Sequence, residues 1–176
     1  RARNAVIMAD EIINRVANSK IITIDLSDYI PKNDIIELDL KQFLFKGSVL
    51  KEKEFRSQLR EYEVSKFQNN ITALFCSSDS IVPMWAYMLA CSKLNDVASE
   101  IYSGNKSDVF QRLFLLNIEN INISKFKNKK VIIKGCGQIP LKEELYITIT
   151  KKLQKTVSSL MFGEACSAVP VYKNKK

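Results

Sequence analysis

The sequence predicts an α/β protein: a mostly parallel open sheet with helices on its faces, plus a less regular N-terminal α/β portion. Three observations support that fold class. Short apolar runs of strand length recur at Ile71–Phe75, Val131–Ile133 and Leu160–Phe162. Stretches with apolar residues at helical spacing lie between them. The resulting order of strand, helix, strand, helix, strand, helix, strand calls for parallel neighbours joined by right-handed crossovers. With 176 residues, 46% of them apolar, the chain has the size of one domain and enough apolar content to form a core without disulfide or metal staples.

Taken in order, Glu11–Asn18 reads as a short helix and Ile21–Leu26 alternates like a strand, stopping at a turn near Asp28–Pro31. Ile35–Leu40 is a second strand. Gly47 separates Phe43-Leu44-Phe45 from a charged amphipathic helix, Leu50–Tyr62, with Phe55, Leu59 and Tyr62 on one face. After the strand Ile71–Phe75, Ser80 is placed to cap a helix that carries Pro83 in its first turn and runs through Trp85, Met88 and Leu89 to about Asn95. Glu100–Tyr102 is a short strand, and Asp108–Ile118 a helix with Val109, Leu113 and Leu116 on one face. Val131–Ile133 has the character of a buried strand. Pro140 then opens a helix reaching about Leu160 on the spacing of Leu145, Ile149 and Leu153. Tyr146–Thr150 also alternates like a strand, but the segment's length, its leading proline and its Lys/Glu flanks favour the helix. Residues 8–176 are expected to form a single α/β domain, and residues 1–7 a leader or an over-called start ahead of Met8.

The cysteines suggest the chemistry. Cys76, Cys136 and Cys166 each follow one of the three apolar strands, and the carboxyl ends of parallel strands form the edge at which open α/β sheets bind ligands. Each cysteine leads into a turn ending in an aliphatic residue and proline, in CSSDSIVP, CGQIP and CSAVP, and such turns hold a loop in one shape. Three thiolates suit zinc, or iron in an iron-sulfur cluster. The chain contains no histidine, which excludes a mixed Cys/His site; Asp79 and Glu164 are the nearest carboxylates and the candidate fourth ligands. Two alternatives stay open. Free cysteines are often inert core side chains, the role expected for Cys91 in any case. Alternatively, Cys76, ahead of a helix N-terminus that favours a thiolate, is a sulfur carrier, since acyl transfer would normally require a histidine base.

Four cysteines at irregular spacings and no secretion signal place the chain in a reducing cytoplasm. No apolar stretch approaches the length of a membrane span. A net charge of +8 invites a nucleic-acid reading. However, lysine greatly outnumbers arginine, and its clusters at 127, 129, 130, 173, 175 and 176 have no aromatic residues at a stacking spacing, so nucleic acid is disfavoured.

The segments MADEIINRVANSKIITIDLSDY (8–29), VLKEKEFR (49–56), CSSDSIVPMWAYML (76–89), VIIKGCG (131–137) and MFGEACSAVPVYK (161–173) resemble the bacterial domain-of-unknown-function family numbered 2480. The likeness covers nearly the whole chain from Met8. Cys76, Cys136 and Cys166 lie inside the matching segments and Cys91 just beyond one; Ala165 stands where the family pattern has proline. The resemblance carries no catalytic residues over to this chain. It implies a setting beside iron-sulfur-cluster assembly proteins, and hence protein partners in that process. The expected function is therefore an accessory protein of iron-sulfur or metal metabolism, more a binder than an enzyme, holding iron or zinc through Cys76, Cys136 and Cys166 with Asp79 or Glu164. The competing readings are an interaction module with structural thiols and a basic partner-binding surface, and a persulfide-transfer enzyme.

Overall fold

In the computed structural model, which describes residues 21–135 and 141–174, the chain is α/β and divides into two compact units. One, here called the flanking unit, comprises Arg1–Asp28 and Ile121–Lys176; the other, the inserted unit, is Tyr29–Asn120. The expected helix Glu11–Asn18 and the start at Met8 lie outside the described residues.

The flanking unit contains strands β1 (Ile21–Asp25), β5 (Lys130–Lys134), β6 (Ser159–Phe162) and β7 (Val169–Lys173), with helix α4 (Glu143–Gln154) between β5 and β6. Its sheet has the order β1-β5-β6-β7, parallel throughout except for β7, which runs antiparallel to β6. The helix expected after residue 140 forms, beginning at Glu143; Leu145, Ile149 and Leu153 are buried, so the strand-like alternation of Tyr146–Thr150 loses to a three-and-four spacing that buries one face. The strand β7 was not among the expected elements; Pro170, which cannot donate to a ladder, is tolerated in it because β7 lies at the edge of the sheet.

The inserted unit contains β2 (Ile35–Asp39), helix α1 (Glu52–Glu61), β3 (Ile71–Phe75), α2 (Met84–Leu94), β4 (Glu100–Ser103) and α3 (Lys106–Glu119). Its parallel sheet has the order β2-β3-β4. Four of the five residues of β3 are buried, as expected of a central strand covered on both faces. On one face Leu38 and Leu74 pack with Phe43, Phe55, Leu59, Phe67, Ala86, Ala90 and Leu94. On the other, Ile35, Ile71 and Ala73 pack against Val109 of α3. The side-chain amide of Asn117 donates to the carbonyl of Tyr29 (2.9 Å), tying the two ends of the inserted unit together. The parallel strands thus belong to two sheets, and the single carboxyl edge expected for all three thiols becomes two edges.

The two units repeat one plan. From Val64 to Gly104, residue n matches residue n + 59. Ser65-Lys66-Phe67 forms a 3-10 turn and so does Ser124-Lys125-Phe126. Asn69 and Asn128 follow with φ of 60° and 58°, a left-handed conformation that asparagine tolerates. The amide of Asn69 donates to Val97 O and that of Asn128 to Thr156 O, both at 2.9 Å; Ser99 N to Asn70 O is matched by Ser158 N to Lys129 O, and Gly104 N to Leu74 O by Gly163 N to Ile133 O. The third strands end at Gly104 and Gly163, with φ of 117° and 113°. The first strands match with n + 14: β1 and β2 both end in an aspartate followed by a fully buried leucine, Asp25-Leu26 and Asp39-Leu40. After the third strand the plans part, the inserted unit continuing into α3 and the flanking unit into β7.

Candidate functional site

At the carboxyl edge of the inserted sheet, Asp39 closes β2 and accepts hydrogen bonds from Ser77 N (3.0 Å), Ser77 Oγ (2.5 Å) and Lys41 N (2.9 Å). Partial burial opposes ionisation of this carboxyl, but the bonds from Ser77 and Lys41 together outweigh it and hold the group below the usual aspartate range. Ser78 Oγ donates to Gly47 O (2.9 Å) and lies 2.7 Å from Ser80 Oγ. The hydroxyls of the loop after β3 are thus engaged with the protein itself. Ser80 does not cap α2: the helix starts at Met84 with Pro83 as its N-terminal flanking residue and no side-chain cap, because Pro83, at φ −60°, already has the backbone angle that leads into a helix.

Cys76 follows β3 directly, is half-buried and packs against the core. Tyr87 of α2 has its phenol pushed up by burial and then by the neighbouring charges of Cys76 and Asp39. At the matching position of the flanking unit stands Gly135, where an added Cβ would collide with Tyr146 Oη and approach Leu141 Cδ1 at 2.6 Å. Tyr146 is the match of Tyr87, so matched tyrosines stand near matched strand ends in both halves. There Asp25, the match of Asp39, is held below the usual range chiefly by Ser27 Oγ, against desolvation, with help from Ser27 N and Lys134.

Of the expected ligands, Cys166 and Glu164 lie in the exposed turn between β6 and β7, and Asp79 is exposed in the loop before α2. Cys136 lies outside the described residues. Cys76 and Asp79 belong to the inserted unit, Cys166 and Glu164 to the flanking one. Among the described residues no three cysteine, aspartate or glutamate side chains gather as a metal site requires. Cys91, expected in the core, is half-buried: it packs against the core and also lines a groove. The reason is helical phase: Ala86, Ala90 and Leu94 take the buried face of α2, and Cys91 falls beside it.

That groove belongs to the inserted unit. It measures about 890 Å³ and runs between α2 and the edge strand β4, lined by Met84, Tyr87, Met88, Cys91, Ile101 and Tyr102 among others. Met84 and Met88 are 69% and 70% exposed. The flanking unit has a counterpart of about 340 Å³ lined by Ile133, Tyr146, Thr150, Leu160, Met161 and Phe162, together with Val171 of β7. Under n + 59 those six residues match Leu74, Tyr87, Cys91, Ile101, Tyr102 and Ser103, every one of which lines the larger groove. The signal that could have found the groove was the repeat of Ser-Lys-Phe and of the glycine that ends each third strand.

Fold and site together define an α/β protein built from a duplicated three-stranded unit, with one groove covered by a strand of its own and one open. The chain belongs to the family described as "Protein of unknown function (DUF2480)", whose profile matches residues 10–174. No curated protein and no solved structure matches the chain significantly. No helix among the described residues is long and apolar enough to cross a membrane.

Proposed function

We propose that the protein is an interaction module whose inserted unit docks an apolar segment of a protein partner in the groove between α2 and β4. The supporting observation is the exposure of Met84 and Met88 beside a groove of about 890 Å³. Contiguous exposed apolar surface of this kind usually marks an interaction site. Methionine suits the role, because an unbranched, polarizable side chain adapts to the shape of what it meets. In this reading Cys76 and Cys91 act as small apolar side chains of the core and the groove wall, while Cys166 is surface-exposed.

The test is the binding of an apolar fluorescent dye such as anilinonaphthalene sulfonate to the full chain. Replacing both methionines, Met84→Gln with Met88→Gln, is expected to remove most of the fluorescence enhancement while leaving the far-ultraviolet circular dichroism unchanged. Equal enhancement by the folded variant and the parent protein would sink the proposal.

A further inference from the structure

Resting on that docking reading, we infer that the groove takes an extended segment of a partner polypeptide as a fourth strand, antiparallel to β4, with an apolar side chain at the position Val171 occupies in the other half. The duplication supplies the occupant. Both grooves are built from the same six matched positions, and in the flanking unit the strand on the outer side of the third strand is β7, which pairs antiparallel with β6 and places Val171 in the groove. In the inserted unit β4 ends the sheet, and the chain turns away at Gly104 into α3. Among the described residues the edge that β7 occupies beside β6 is therefore vacant beside β4, and the groove there is more than twice as large. Strand addition fits such a place: main-chain hydrogen bonds to the exposed edge provide affinity, and the groove selects the side chains.

Charge narrows the partner further. Lys173 of β7 stands opposite Ser159 in the β6 register. The match of Ser159 is Glu100, which is exposed, and Asp96 lines the groove nearby. The preferred segment thus reads apolar, any residue, apolar, aromatic, basic, as Val169-Pro170-Val171-Tyr172-Lys173 does. The basic residue sits opposite Glu100, where a pair of opposite charges on adjacent strands stabilises.

The experiment uses a fluorescein-labelled peptide of the β7 segment, SAVPVYKN, titrated into the full-length protein and followed by anisotropy, with amide hydrogen exchange of both strand edges. Saturable binding is expected, with slowed exchange at Ile101–Ser103. Met88→Gln should weaken binding about tenfold, as the loss of a buried interface anchor does. Glu100→Lys should weaken it about fivefold at low salt, and a peptide with lysine replaced by glutamate should recover that loss on the Glu100→Lys protein. Recovery by charge exchange localises the peptide to β4 and separates it from exchange with the protein's own β7. Binding that leaves the β4 amides unprotected would overturn the strand mode and keep the docking reading. Failure of the peptide to bind a protein that still takes the apolar dye would overturn the inference in the same way. Failure of both probes would overturn both, and self-association through β4 that the peptide does not compete with would replace the partner segment by a second copy.

Discussion

Among the described residues, Thr72 is a buried polar residue of the inserted core, fully enclosed, with no hydrogen-bond partner for its hydroxyl. Its match in the flanking unit is Val131, also fully buried. An enclosed hydroxyl without a partner is costly, and a methyl of the same shape is not. Thr72→Val is therefore expected to stabilise the protein by about 1 kcal/mol, read from the midpoint of urea unfolding; a variant less stable than the parent would refute this. At the carboxyl edge, Ser77→Ala removes one donor from Asp39 and is expected to cost about 1 kcal/mol near neutral pH, since hydrogen bonds to a charged acceptor are the stronger kind but this one is partly open to solvent. The sign with pH follows from the depressed carboxyl. The folded group titrates below its ordinary value of 3.8, so the stabilisation is full above that value and is lost as pH falls through the lower, folded one. The gap between variant and parent should shrink once pH drops below about 4, and a gap independent of pH would remove Asp39 as its cause.

The elements themselves were largely legible. Strand-length apolar runs gave β3, β5 and β6, and three-and-four spacing gave α1, α3 and α4, because burying one face is a local matter of period. The start of α2 was misplaced because Ser80 has the chemistry of a cap, yet the hydroxyl of Ser78 beside it is committed to Gly47 O, some thirty residues away in sequence. The same limit hid β7: an edge position is what allows Pro170 in a strand, and sequence does not say which strand is at the edge. The glycine that ends β4 is a point where the element's geometry can be tested. At φ +117°, with Asp108 Cβ 2.7 Å from any added Cβ, Gly104→Ala strains the backbone and pushes into the capping box that Asn105 and Asp108 form at the start of α3. The expected cost is about 2 kcal/mol or more by chemical denaturation; a near-neutral result would show that the turn adjusts.

The inserted unit is a continuous segment with its own sheet, a core on both faces of that sheet and its two ends tied by Asn117 and Tyr29. Tyr29–Asn120 expressed alone is therefore expected to unfold cooperatively in urea and to retain dye binding. A segment without a cooperative transition would show that it depends on the rest of the chain. The sequence by itself determined the α/β class, the identity and approximate limits of most strands and helices, and membership of the family, because these rest on apolar period, turn residues and local likeness. It pointed to a recurrence among the three thiol turns, CSSDSIVP, CGQIP and CSAVP, but the structural repeat is another one, which aligns Gly135 with Cys76 and Gly163 with Gly104. Only the tertiary structure decided that the parallel strands belong to two sheets, that Cys91 lines a groove, and that, among the described residues, the groove beside β4 lacks the strand its duplicate has. The physical reason is that sheet partnership and edge exposure are set by contacts between distant segments, which no local pattern of residues encodes.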